Sequence, residues 1–169
     1  PTLGAQMSFA GTSYAIFVDA GASRFDDHIQ FGDGTALTAG NYSVGRAGVL
    51  ISAVTVHDVE GSYAGCISWF QNPSASVSAH YVARSSDGQI TQMVLESNKA
   101  WHVGSENPYT IGIEHEGYVS TPSWYTTAMY NSSAALVRDI CGSGYGINPL
   151  RTYYGPGCTG GYTSCLEGG

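Results

Sequence analysis

Two side chains in this sequence have the types and setting to break a bond with water: His57, at the end of the run VLISAVTVH, and Glu114, within YTIGIEHE. In α/β proteins, strand ends are where side chains leave the core and face an open crevice. An imidazole and a carboxylate on neighbouring strands meet the minimum for metal-assisted hydrolysis, one holding a cation and the other taking a proton from water. The same pair also suits ordinary polar residues that close strand ends, and spacing alone leaves both readings open.

The elements that must position this pair are legible in the patterning. Val49 to His57 is apolar and β-branched, as expected of a strand buried on both faces. Ser62 to Gln71 (SYAGCISWFQ) reads as a short helix stopped by Asn72-Pro73. Val77 to Ala83 and Gln89 to Leu95 form a hairpin around the turn Ser85-Ser-Asp-Gly88. Tyr109 to Glu116 is a further strand. Thr121-Pro-Ser123 then opens a helix on which Met129, Ser133, Leu136, Val137 and Ile140 share a face, ending at Cys141-Gly142. Strands and helices interleave, so the expected fold is α/β: a central mixed β-sheet flanked by helices, with an N-terminal arm. Residues 1–38 form that arm, with apolar patches at Tyr14 to Val18 and His28 to Phe31, packed on the core. Residues 39–169 form the main domain, irregular from about residue 145.

Composition narrows the function. Charged residues are 11% of the 169, with 23 glycines and 12 tyrosines, a neutral, hydroxyl-rich balance that suits a secreted or cell-wall-associated protein. The formal charge is -7 and no basic cluster exists to displace counterions from a phosphate backbone, which argues against nucleic acid. No apolar run is long enough to span a bilayer. The first residues show no export signal, as in a mature form. Of the four cysteines, Cys66, Cys141, Cys158 and Cys165, none forms a CxxC pair, so disulfides are expected rather than a structural zinc cluster.

Five blocks stand in order: VTVHDVEGSYAG at 54–65, ISWFQNPSASVSAHYV at 67–82, SDGQITQMV at 86–94, AWHVG at 100–104 and IGIEHEGY at 111–118. Together they resemble the type 2 N-acetylmuramoyl-L-alanine amidases and the peptidoglycan recognition proteins, over roughly residues 39–150. The resemblance implies a zinc-dependent cell-wall hydrolase that cuts the amide bond between N-acetylmuramic acid and L-alanine in peptidoglycan. It maps a zinc ligand onto His57 and the catalytic carboxylate onto Glu114, and makes peptidoglycan or a muropeptide the partner. Ala79 stands before His80 where some family members carry a tyrosine, which points to the glutamate-dependent branch. His80 is expected to be a hydrogen-bonded structural histidine. Trp101 and His102 are expected to line the substrate groove.

By strand alternation, His115 faces away from Glu114 and Glu116 returns to its side, where it either modulates that carboxylate or is solvated. The family completes its zinc site after the last long helix, but here the tail reads RTYYGPGCTGGYTSCLEGG. No histidine follows His115 and no aspartate follows Asp139. Three explanations stay open: a degenerate amidase without zinc, Cys158 or Cys165 as substitute ligands, or an incomplete end. The alternative function is a non-catalytic peptidoglycan-binding module, or a structural surface module capable of self-association.

Overall fold

A computed structural model describes residues 40–149 together with the short strands 7–9, 12–14, 30–31 and 35–36. In the arm, β1 (Met7–Phe9) pairs antiparallel with β2 (Thr12–Tyr14), and β3 (Gln30–Phe31) pairs with β4 (Thr35–Ala36). How the arm packs, and the tail from residue 150, lie outside the described residues.

The core follows as β5 (Tyr42–Ser43), β6 (Ala53–Asp58), α1 (Tyr63–Gln71), β7 (Tyr81–Ala83), β8 (Ile90–Gln92) and β9 (Lys99–Ala100). A 3-10 helix at Gly104–Tyr109 leads into β10 (Thr110–His115), and α2 (Thr127–Gly142) closes the described chain. The main sheet runs β6-β10-β7-β8. β10 is parallel to both β6 and β7, and β7 and β8 form the antiparallel hairpin, so the sheet is mixed as expected.

Each helix has a local reason for its limits. Ser62 caps α1, its hydroxyl accepting from Gly65 N–H, a contact worth about 1 kcal/mol. The helix ends at Asn72 because Pro73 disfavours helical geometry in the residue before it. Tyr63, Cys66 and Phe70 are the buried face of α1 and pack with Ala79, Val82 and Met93. Thr126 caps α2, whose Leu136 and Ile140 pack with Tyr81, Ile111 and Ile113. Tyr81 and Val82 are consecutive on β7 and belong to different clusters, so the two helices cover opposite faces of the sheet.

The strands are shorter than the apolar runs that encode them. β6 begins at Ala53 rather than Val49, because Gly45, Ala47 and Gly48 take positive φ and the Val49 N–H turns back to the Arg46 carbonyl. Among the described residues β6 is also an edge strand, with Val56 55% exposed, which corrects the expectation of burial on both faces. β7 begins at Tyr81, because Ser78 is diverted: its N–H donates to the Trp101 carbonyl and its hydroxyl to that of Asn41. β8 stops at Gln92, because the next two N–H groups, of Met93 and Val94, both turn to the His80 carbonyl.

Candidate active site

Parallel pairing sets Glu114 directly opposite His57 across β10 and β6, so both side chains leave the α1 face near the carboxyl ends of their strands. The register thus brings together two of the residues singled out by sequence. His115, one residue on, points to the other face and lines a separate cavity under α2, as strand alternation requires.

His102 arrives from the segment after β9 and lies across β10 at Gly112. A Cβ on Gly112 would stand 2.6 Å from His102 Nδ1, so only glycine admits the ring there. His102 Nδ1 then meets His57 Nε2 at 3.0 Å, with the two rings edge to face. The proton positions follow from the network. The Thr110 hydroxyl donates to the Glu106 carbonyl and therefore accepts from His102 Nε2–H at 3.0 Å. That leaves His102 Nδ1 bare to accept from His57 Nε2–H. Asn107 fixes the backbone beneath, its Oδ1 accepting from the N–H groups of His102 and Val103.

Behind His102 stands His80, fully buried, its Nδ1 accepting from the Gly112 N–H and its Nε2 facing Arg46 Nη2 and the Asn98 carbonyl. It is the hydrogen-bonded structural histidine that the sequence suggests. Burial lowers the pKa of all three imidazoles. For His57 the next cause is His115; for His102, held at about 3, it is His57; for His80, held well below the ordinary value, it is Arg46. All three are neutral near pH 7.

Glu114 is shifted the other way. Burial, then the negative charge of Asp58, pushes its carboxyl up to about 7. Its Oε2 is buried with no hydrogen-bond partner among the described residues, a cost that structures avoid unless the group is kept for something else. A cavity of about 390 Å³ opens against it, lined among others by Asp58, Cys66, Trp69, Trp101 and His102. Trp101 is fixed there by its indole N–H, which donates to Ser43 Oγ. His57 is one hydrogen bond away, through His102. The cavity under α2 is larger, at about 650 Å³, but is walled by apolar groups such as Val56 and Val137 and holds neither Glu114 nor this histidine row.

Two expectations change. Glu116 neither perturbs Glu114 nor is solvated: it is buried, with Oε1 accepting from Tyr63 N–H at the start of α1 and Oε2 from Ser85 N–H. Its two oxygens are committed to the start of α1 and to the hairpin turn. Cys66 and Cys141 are free thiols, and their places on opposite faces of the sheet keep them from pairing with each other. Burial, then Glu114, pushes the Cys66 thiol up to about 12, so it is no nucleophile. Cys158 and Cys165 lie outside the described residues.

The donor chemistry suits zinc at His57, a neutral imidazole whose Nδ1 keeps its lone pair while Nε2–H is held by His102. Among the described residues, however, no three His, Cys, Asp or Glu side chains converge on one point, and catalytic zinc takes three protein ligands. Sequence reasoning missed Arg46, Thr110 and Asn107, which carry no motif of their own, and also Trp69, which stands inside a quoted block.

A family model described as N-acetylmuramoyl-L-alanine amidase matches residues 27–165. The chain belongs to that family. N-acetylmuramoyl-L-alanine amidase A of Achromobacter lyticus is 50% identical over 129 residues, covering 76% of this chain and 72% of the relative. The 1,6-anhydro-N-acetylmuramyl-L-alanine amidase AmpD of Salmonella typhimurium (strain LT2) is 39% identical over 75 residues, 40% of this chain and 38% of that one. The fold of this amidase-family chain is shared with the Staphylococcus aureus hydrolase AmiA, solved in complex with its ligand. The TM-score is 0.52 at 18% identity, over 85% of this chain and 72% of AmiA.

Proposed function

We propose that this chain hydrolyses the amide bond between N-acetylmuramic acid and L-alanine in peptidoglycan, with Glu114 as the general base. The observation that carries this is the Glu114 carboxyl, buried, missing a partner at Oε2 and titrating at about 7, at the wall of a cleft shared with His102 and Trp101. A base whose pKa lies near the working pH exchanges protons most effectively. Glu114 takes a proton from the attacking water as its oxygen bonds to the lactyl carbonyl carbon. It returns that proton to the alanine nitrogen as the C–N bond breaks, leaving a carboxylic acid and a free amine, which become carboxylate and ammonium when the acid proton passes to the amine. Trp101 and His102 wall the groove, and the Thr110–His102–His57 chain holds His57 in one orientation.

Zinc, when bound, would polarise the scissile carbonyl as a Lewis acid. His57 would hold it, with Cys158 a further donor drawn from the tail. Metal analysis of the purified chain should give stoichiometric zinc, and His57→Ala should lose it. Zinc absent from the wild type, with no amino termini of L-alanine released from peptidoglycan, would sink the proposal. Those results would favour the second reading, a non-catalytic peptidoglycan-binding module, which the incomplete ligand set among the described residues supports. Composition supports an exported, cell-wall-associated protein, and a census of culture medium and cell fractions tests that.

Gly112→Ala tests the geometry without touching a reacting group. The new methyl must push His102 off the strand and away from His57. Displacement of about 1 Å at such a site costs on the order of 100-fold in rate, while overpacking costs about 1–3 kcal/mol of stability. Peptidoglycan hydrolysis and urea denaturation measured side by side would show whether activity falls out of proportion to stability.

A further inference from the structure

The Glu114 cleft is two-ended, and the two ends differ in chemistry. Asp58, Gly61, Ser62 and Glu114 form one end, where β6 and β10 finish and α1 begins. Trp69, Phe70 and Val77 form the other, along the last turn of α1 and the loop beyond it. Cys66 sits between them, close enough to Glu114 to feel its charge. From Cys66 to Trp69 the helix axis advances about 4.5 Å, comparable to one hexopyranose ring.

Trp69 is unusual for α1. The buried face of that helix is Tyr63, Cys66 and Phe70, whereas Trp69 is 53% exposed while still lining the cleft. A half-exposed indole beside a reacting centre offers a flat apolar face to solvent, which costs free energy unless something covers it. Val77, 39% exposed, extends the same apolar wall. Among the described residues this end carries no cationic side chain and is walled by apolar groups.

We propose that Trp69 is a specificity residue that stacks against the sugar ring of the N-acetylmuramoyl group, so that the cleft recognises the glycan side of the scissile bond along α1. A pyranose offers a face of C–H groups to an aromatic ring while its hydroxyls stay in water, which matches a half-exposed indole. The lactyl bridge between sugar and amide matches the three-residue step along α1 from Cys66, which feels the charge of Glu114, to Trp69. The inference rests on the amidase reading, but its test does not.

The test measures binding of the two reaction products to the whole chain by calorimetry: an N-acetylmuramic acid-containing oligosaccharide freed of peptide, and the peptide that begins with L-alanine. Trp69→Ala should weaken the oligosaccharide about 5- to 10-fold, the usual size of one aromatic contact, and leave the peptide unchanged. Trp69→Phe should retain most of the affinity. Circular dichroism should be unaltered, because Trp69 is not part of the buried face. Equal weakening of both ligands, no change for the oligosaccharide, or no oligosaccharide binding by the wild type would each overturn the proposal. Wild-type protein that binds the oligosaccharide but releases no amine from peptidoglycan would overturn the amidase reading and leave the platform standing.

Discussion

Glu114→Gln should lower the rate of muramoyl-alanine hydrolysis by about 10²- to 10⁴-fold, the range supplied by a positioned general base, with little change in substrate affinity. The amide keeps the shape of the carboxyl and loses its capacity to take a proton. In the wild type, activity should rise with pH through about 7 as Glu114 ionises, and that acid limb should vanish from the residual activity of the variant. The same substitution should alter stability in a pH-dependent way. The folded-state pKa of Glu114 is raised from 4.5 to about 7, so between those values the folded chain holds a proton that the unfolded chain has released. Its favourable contribution is complete below 4.5 and is lost as pH rises through 7, a difference of about 3 kcal/mol at most. Glutamine cannot ionise, so the variant should be more stable than the wild type at pH 8 and similar to it at pH 5. Urea denaturation at both values checks this. Equal stability at pH 8, or an unaltered rate, would remove Glu114 from the role.

Arg46→Ala should be the most destabilising single change in the described core, by about 3–5 kcal/mol, a large part of the 5–15 kcal/mol that holds a typical domain together. Arg46 is buried, with Nε donating to the Glu96 carbonyl at 2.6 Å and Nη1 shared among the carbonyls of Pro108, Thr110 and Asn107 at 2.8 to 3.3 Å. Its Nη2 faces His80, and its positive charge helps to hold His80 neutral. Removal leaves buried carbonyls without donors, each costing about 1–3 kcal/mol before relaxation. Arg46→Lys should rescue little, because an ammonium cannot reach both sides of this fork. Loss of Arg46 should also loosen the floor under His102, so activity should fall along with the urea midpoint. A midpoint within experimental error of the wild type would show that the network carries little energy.

The order of blocks from Val54 to Tyr118 was enough to identify the family, and local rules were enough to place α1, the hairpin turn, β10 and the body of α2. Thr121-Pro-Ser123, however, opens only a separate 3-10 turn at Pro122–Trp124, and α2 itself starts at Thr127 from the Thr126 cap. Ser62 and Pro73 bound α1 through short-range effects, a cap and a clash with the preceding residue, and so they are readable without a fold. The alternation of Ile111, Ile113 and His115 against Gly112 and Glu114 is likewise local, and it put His115 on the far face correctly.

The site itself was only half readable. His57 and Glu114 could be named, but their direct opposition depends on the parallel register of β6 and β10, set by a pairing 57 residues apart in the chain. His102 was placed in the groove by resemblance. Its contact with His57 needs the missing Cβ of Gly112 and the hydroxyl of Thr110, neither of which carries a local signature. The expectation of disulfides failed for Cys66 and Cys141 because composition counts thiols without saying which face each one occupies. Glu116 was misread for a similar reason: strand alternation gives the side, and only the docking of α1 and the hairpin reveals two backbone N–H groups waiting there.

Residue types and their short-range spacing determined which elements form and which side chains could do chemistry. The tertiary structure decided what those side chains are. A carboxyl becomes a base near pH 7, and three imidazoles stay neutral, because helices and strands distant in sequence close over them and remove water.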